Sequence, residues 1–403
     1  MTSRISVAVG AVVMVFGLCA LGFAPHADAV DNGLARRPPM GWNGWNHFGR
    51  AVTASTVRAQ ARAMVSSGMK AAGYSYVNLD GGWDLLNRDG EGQLQPDPTK
   101  FPNGIAPIAA YVHSLGLKFG IYTSLGPTSC GGTSAGSFEH YQQDAETFAS
   151  WGVDYIKVDW CRVPLSQFPG MTAKQVAQTL YDKFGSALRS TDRPMLYSLS
   201  TNRIALAAWA WAPGVGNMWR TGRDIRDSYD SMLANFTQNV RHYRAAGPGG
   251  WNDPDMLEVG NGGITRAEGR TEFSLWAEMG APLIAGNDLT TMSGATRKNL
   301  INPGVIAVDQ DPLGRQGRPV ANANGHWVLS KTLTNGARAV VLFNQTDQPA
   351  VITTTARQVG LPTASRFRIV HLWQHTMAHT TAKIRASVAP HAVAMLRVTA
   401  ARK

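Results

Sequence analysis

Cysteine is scarce in this chain, three in 403 residues, and negative charge is short as well, with 27 Asp and Glu against 38 Lys and Arg. So little cysteine excludes a disulfide-stapled miniature scaffold. The excess of 11 positive charges is scattered. It forms no arm, stripe or run able to track a phosphate backbone, and no nucleic-acid motif accompanies it, so it reads as a solvated basic surface. Gly260 to Gly263 lacks the pattern and following lysine of a phosphate loop. No dinucleotide fingerprint is present either, so no cofactor is called for. Internal repeats and low-complexity tracts are missing too, which removes solenoids and disordered arrays from consideration.

The N-terminus carries Arg4, an apolar run from Ile5 to Ala24, and Ala27-Asp28-Ala29 ahead of Val30. Charge, hydrophobic stretch and small-residue cleavage site in that order predict a secretory signal over residues 1–29, a secreted, extracellular product and no membrane association after cleavage. The alternative is an uncleaved anchor. Cleavage would remove Cys19, which has no convincing lipid-attachment context, and leave Cys130 and Cys161 as an even pair bound for an oxidising compartment. They read as one disulfide, with two unrelated buried thiols as the alternative.

Hydrophobic residues make up 44% of the chain, enough for one large core plus a smaller domain. Eight extended apolar stretches alternate with helix-like segments: Met40–Phe48, Tyr74–Asp80, Lys118–Thr123, Tyr155–Asp159, Met195–Ser200, Asn217–Thr221, Gly250–Leu257 and Leu283–Leu289. Amphipathic periodicity falls between them at Ser55–Ala72, Phe138–Trp151, Ala173–Arg189, Asp227–Ala246 and Thr265–Met279. Eight such units predict an α/β fold, a closed parallel (β/α)8 barrel over residues 30–310. The seventh stretch, with Pro248, Gly249, Gly250 and Pro254, reads equally as a broken strand or a rim loop.

From about Val305 the pattern changes to short alternating runs, His326–Leu333, Ala337–Asn344, Ala350–Thr355, Arg366–Trp373 and Val388–Thr399. They predict an antiparallel sheet domain over 311–403, with hairpin turns at Asn322 to Gly325 and Asn335-Gly336 and a hinge near Asp311 to Gly314. His371, His375 and His379 recur every four residues, which would align ligands on a helix. In a strand-and-turn region that spacing does not converge, and no metal site is assigned.

The polar residues of the barrel stretches fall at their C-terminal ends: Trp45, Asp80, Tyr122, Asp159, Ser200, Arg220 with Asp224, and Asp255. Parallel strand ends open onto one face, so a single pocket should collect them. For each alone a helix cap or loop residue is the plainer reading. Together, two carboxylates from separate strand ends, Asp159 and Asp224, are the minimum apparatus for acid-assisted displacement at an anomeric carbon.

Five blocks carry a resemblance: GLARRPPMGWNGW from Gly33 to Trp45, GLKFGIY from Gly116 to Tyr122, WGVDYIKVD from Trp151 to Asp159, GGWNDPDM from Gly249 to Met256 and QDPLG from Gln310 to Gly314. From about Asn32 to the C-terminus the chain resembles glycoside hydrolase family 27, the α-galactosidase (melibiase) family. The resemblance implies a barrel followed by a C-terminal β-sandwich, with Asp159 as nucleophile and Asp224 as acid/base of a retaining mechanism. It also implies that Asp80, Tyr122, Lys157, Arg220 and Asp255 contact the sugar or hold the acids, with Trp45 an apolar wall. Retention calls for carboxyl groups about 5 to 6 Å apart. Lys157, two residues before Asp159 and on the same strand face, would favour the ionised nucleophile.

Three positions depart from the family pattern. Gly81 stands where a second acid usually follows Asp80, at the C4 and C6 hydroxyls. Ser200 stands where many α-galactosidases carry a larger polar residue near C2. Arg223 brings a cation beside Asp224, which would lower the carboxyl pKa of a proposed acid. The expected function is a secreted exo-acting α-galactosidase acting on a carbohydrate substrate. Alternatives are the same mechanism on N-acetyl-α-galactosamine, β-L-arabinopyranose or an α-1,6-glucan, and a carbohydrate-binding homologue that has lost catalysis.

Overall fold

The computed structural model describes residues 32–401, so the signal segment read at 1–29 lies outside the described residues. Eight strands, β1 (Met40–Asn43), β2 (Tyr76–Leu79), β3 (Lys118–Ser124), β4 (Tyr155–Asp159), β5 (Leu196–Ser200), β6 (Met218–Arg220), β7 (Trp251–Asp253) and β8 (Leu283–Ala285), pair in parallel in sequence order, with β8 returning to β1. Nine helices are described: α1 (Trp45–Phe48), α2 (Ala54–Ser66), α3 (Ala106–Ser114), α4 (Tyr141–Ser150), α5 (Ala173–Arg189), α6 (Tyr229–Asn239), α7 (Arg266–Met279), α8 (Gly294–Leu300) and α9 (Pro303–Asp309). Thr172 with Gln175 and Thr265 with Glu268 form capping boxes that start α5 and α7 where the sequence periodicity begins.

Strand alternation decides what enters the barrel. In β4, Ile156 and Val158 are fully buried in the main core, whereas Tyr155 joins an inner cluster with Tyr76, Leu196, Met218 and Trp251. With a period of two, Tyr155, Lys157 and Asp159 share the inward face. Tyr155 plugs the barrel, and the two charged residues lie above it toward the C-terminal mouth. Met218 and Arg220 repeat that order in β6, Trp251 and Asp253 in β7.

The seventh stretch is a broken strand. Pairing of β7 stops at Asp253, Asp255 adopts φ 87, and Leu257 resumes with a bridge to Ala285, giving and receiving hydrogen bonds of 2.7 and 2.9 Å. The interruption frees Asp255 to turn into the mouth while Leu257 closes the barrel. A non-glycine residue at such a φ costs about 1–3 kcal/mol, which the surrounding bonds offset.

The C-terminal domain has a six-stranded antiparallel sheet and a two-stranded one. Its strands are β9 (Arg318–Ala323), β10 (His326–Thr332), β11 (Arg338–Asn344), β12 (Ala350–Thr355), β13 (Phe367–His371), β14 (Met377–Thr380), β15 (Lys383–Val388) and β16 (Val393–Ala400). The turn at Asn324-Gly325, with φ of 52 and 81, is the left-handed pair that a two-residue hairpin needs. The run expected at Val388–Thr399 is instead the end of β15 and most of β16. Pro390 and His391, the latter at φ 54, make the turn between them. His371, His375 and His379 sit on the β13–β14 hairpin, with His379 opposite Arg368.

The central strands β10 and β11 of the larger sheet are buried on both faces. Val328, Val340 and Leu342 pack against Ile352 and Ile384 of the smaller sheet, whereas Trp327, Leu329, Val341 and Phe343 join the barrel's core. Phe236 of α6 meets the rings of Trp327 and Phe343 edge-on at 5.2 and 5.6 Å. This two-sided burial explains why β10 and β11 are buried continuously, not alternately as the sequence pattern suggested.

One charged group crosses that seam. Lys331, 1% exposed, donates to the carbonyls of Ala277 (3.1 Å) and Asp309 (3.4 Å), beside the buried carboxyls of Glu278 and Asp309. Burial pushes Glu278 to about 8 and Asp309 to about 7, with Lys331 drawing both down. A carboxyl raised in this way contributes stability that is complete below its ordinary pKa and is lost as pH rises through the raised value. Lys331→Met should therefore lower the unfolding free energy by about 3 kcal/mol at pH 8 and by clearly less at pH 5, where the carboxyls carry protons. Urea unfolding at the two pH values measures this.

Candidate active site

The C-terminal mouth of the barrel opens into a cleft of about 330 Å³, and the strand-end residues line it: Trp45, Asp80, Tyr122, Lys157, Asp159, Arg220, Asp224 and Asp255. A hollow of about 370 Å³ at the opposite end, between the end of α5 and the start of β5, holds none of these carboxylates.

Two buried cations organise the four acids. Lys157 Nζ lies 3.0 Å from Asp80 Oδ2 and 3.3 Å from Asp159 Oδ1. Arg220 Nη2 lies 2.7 Å from Asp255 Oδ2 and 2.9 Å from Asp224 Oδ1. Each cation thus serves one acid held by further bonds and one left free for chemistry. Asp80 also accepts from Asn43 Nδ2 (2.7 Å) and the Gly81 amide (2.8 Å). Asp255 accepts from the amides of Ile225 and Met256, both at 2.8 Å. Neither oxygen of Asp159 is tied to a backbone amide.

Asp159 and Asp224 differ most in exposure, their side chains being 11% and 69% accessible. Asp159 ends β4, paired on both sides, and forms the floor of the cleft. Asp224 stands on the loop after β6, at the mouth. Burial pushes the Asp159 carboxyl above its ordinary value, and Lys157 draws it back only in part. Burial also works to raise Asp224, but Arg220, then Lys157 and the Asn202 side chain, outweigh it and leave the group below the ordinary range. Lys157 acts on Asp159 in the expected direction, yet desolvation prevails. The lowering foreseen at Asp224 arises from Arg220; Arg223 is exposed and makes no ion pair among the described residues. The Tyr122 hydroxyl borders Asp159 and is raised well above its usual value by burial and then by that carboxylate.

Cys130 and Cys161 are joined in a disulfide, their Cα atoms 4.8 Å apart and their sulfurs 3.6 and 4.0 Å from Asp159 Oδ2. The bridge ties the loop after β3, which supplies Ser129, Cys130, Gly131 and Thr133 to the cleft, to the loop after β4. Gly126 permits the approach, since a Cβ there would collide with the Cys161 carbonyl. Cys130, Asp159 and Cys161 are the one group of potential metal ligands clustered among the described residues, but bonded sulfurs offer no thiolate.

Ser200 pairs in register with Asp159 and so shares its inward face beside that carboxylate; it is 1% exposed and is not among the residues lining the cleft. Gly81 does line the cleft, where a Cβ would press on the Tyr122 ring at 3.2 Å and on Trp45 at 3.6 Å. Trp42 is wholly buried, its indole N–H given to the Asn287 carbonyl, while Trp45 is 38% exposed. Asn43, Arg50 and Asn202 also serve the site without having been anticipated. Asn43 lies within the GWNGW block and Arg50 just after it, with no further signal of either's role, and Asn202 follows β5 at a strained φ of 39.

A barrel whose mouth presents two carboxylates of unequal burial among further charges and an aromatic ring is an architecture suited to cleaving sugars. The chain belongs to the α-galactosidase family of glycoside hydrolases. Residues 37–311 match the family model described as Alpha galactosidase A, and residues 323–398 match that of the Alpha galactosidase C-terminal beta sandwich domain. The α-galactosidase of Cyamopsis tetragonoloba is 43% identical over 376 residues, 92% of this chain and 88% of that protein. The crystal structure of α-galactosidase I from Mortierella vinacea superposes with a TM-score of 0.88 at 34% identity, covering 92% of this chain and 99% of that one. An α-N-acetylgalactosaminidase of Gallus gallus is 37% identical over 84% of this chain and 87% of its own length.

Removing Lys157 would leave Asp80 and Asp159 facing each other without a counter-charge. Lys157→Met should move the acidic limb of the kcat/KM profile to higher pH by about one unit or more, because the Asp159 carboxyl, already raised, loses the group that lowers it. A pH–rate profile of the variant against the parent tests this.

Proposed function

We propose that this chain is a secreted, retaining exo-glycosidase that removes terminal α-D-galactosyl residues from oligosaccharides or glycoconjugates by double displacement. Residues 1–29 act as the secretory signal, 30–310 as the catalytic barrel and 311–403 as the C-terminal domain. Asp159 attacks the anomeric carbon while Asp224 protonates the departing oxygen, and Asp224 then takes a proton from the incoming water. Asp80 and Lys157 grip ring hydroxyls by charge-assisted hydrogen bonds, and Trp45 covers the apolar C–H face.

The observation that carries this assignment is the contrast between a buried floor and an exposed mouth. A nucleophile needs one fixed approach to one carbon, which β4 and its neighbours supply. An acid/base must meet both the leaving group and water, which only the exposed Asp224 can do. Taken without a sugar, the two pKa directions run against these roles. A seated sugar reverses the imbalance at Asp224, because it strips water from a carboxylate that is now solvated and raises its pKa. At Asp159, Lys157, 3.3 Å away, holds the anion as water leaves.

Gly81 supports a second reading of specificity, in which the same machinery accepts a sugar other than galactose, since at position 81, against Tyr122 and Trp45, the cleft presents no carboxylate. Ser200, buried and outside the cleft lining, gives no support to an N-acetyl pocket. Initial rates on nitrophenyl α-galactoside, N-acetyl-α-galactosaminide, β-L-arabinopyranoside and α-glucoside separate these readings. The galactoside is expected to give the highest kcat/KM, and a poorest rank for it would refute the assignment. Asp159→Ala should lower kcat on the best substrate by roughly 10⁴-fold or more.

A further inference from the structure

The proposed sugar wall, Trp45, sits on the least self-sufficient element near the cleft. Helix α1 has four residues, none of them buried, and a helix that short has no stability of its own. Within its own segment it has the Trp45 amide bond to Asn43 Oδ1 (2.9 Å), the Phe48 amide bond to the Gly44 carbonyl (2.8 Å), the Gly49 amide bond to the Trp45 carbonyl and the contacts of Phe48 with Trp42 and His47. Phe48 packs against the core, and the helix's side-chain hydrogen bonds to the rest of the barrel converge on one residue. Asn46 Nδ2 donates to Glu258 Oε1. His47 Nδ1 meets Asn261 Oδ1 at 3.3 Å, and Asn261 Nδ2 in turn donates to Glu258 Oε2 at 2.6 Å.

Glu258 itself is firmly placed. It is wholly buried, and its amide donates to both carboxyl oxygens of Glu272 in α7, at 3.1 and 2.9 Å. It lies three residues beyond Asp255 and two beyond Met256, both in the cleft lining, and next to Leu257, which closes the barrel. A buried carboxylate is costly unless its oxygens are matched, and here both are given to side-chain amides that lead to α1. Of the cleft-lining residues, Asn46 is the one whose side chain is hydrogen-bonded to the Glu258 carboxyl among the described residues.

We propose that Glu258 is a positioning residue for substrate binding, holding α1 so that Trp45 faces the sugar. This rests on the reading of the cleft as a glycosidase site and adds a residue that acts only through Trp45. Loss of the tether would let the indole swing, weakening a contact made alike in ground and transition states, so the effect belongs in KM. Glutamine keeps an acceptor and, by inversion of either asparagine amide, both bonds; leucine keeps neither.

The test is a double-mutant cycle in kcat and KM on the best α-glycoside. Glu258→Leu should raise KM about tenfold with kcat within about twofold, Glu258→Gln should stay within about threefold of the parent in both, and on a Trp45→Ala background Glu258→Leu should cost less than about twofold further. A parental KM in the leucine variant, or the same loss on both backgrounds, would overturn the proposal. If the leucine variant does not fold, Asn46→Ala cuts the same tether from the other end and is read in the same cycle. Absence of turnover by the parent on every glycoside would instead refute the functional reading, so the two failures are distinct.

Discussion

The sharing of one buried cation between two carboxylates, done twice, is the constraint on which this structure depends. Four acids within one cleft repel one another and lose water on burial; Lys157 and Arg220 make the arrangement tolerable. Neither cation could be held there without the barrel, because each is the inward residue of a strand whose alternate residues are locked into the outer core. Asp80 and Asp255 absorb much of each cation's hydrogen bonding, with backbone amides completing their shells. That leaves Asp159 and Asp224 bound by a single charge apiece, stable enough to be placed and free enough to react.

The surrounding fold can be understood as support for this pairing. Tyr155, Met218 and Trp251 fill the barrel beneath the charges, which keeps the cleft shallow and the ion pairs at its floor. The disulfide fastens two mouth loops on either side of Asp159. The C-terminal domain packs through Trp327 and Phe343 on α6, the helix that follows the loop bearing Asp224, and through β10 and β11 on α7. It thereby braces the two segments from which Asp224 and Asp255 arise.

Much of this was legible in residue order. The eight strands follow from apolar runs, and the period of two in Tyr155 to Asp159 was enough to predict that Lys157 and Asp159 share a face. The broken seventh strand was written in Pro254 and its glycines. Other features depend on three-dimensional neighbours and have no local signal. Ser200 ends β5 in register with Asp159 and on the same inward face, yet it is buried and does not line the cleft. Arg223 is adjacent to Asp224 in sequence, but Arg220, four residues earlier at the end of β6, is the cation that reaches it. The split between β15 and β16 was hidden because Pro390 interrupts a run whose composition otherwise reads as one strand. The balance of burial against Lys157 at Asp159 could not be read at all without knowing how much water the barrel excludes.

The central claim is that Asp159, held by Lys157 at the cleft floor, forms a covalent bond to the sugar. An activated 2-deoxy-2-fluoro galactoside slows the second displacement and lets that adduct accumulate, and mass mapping of the digested protein then locates it. One fluorogalactosyl group on the peptide containing Asp159 is the predicted result. A label on the peptide containing Asp224, or turnover with inverted anomeric configuration and no adduct, would contradict the account.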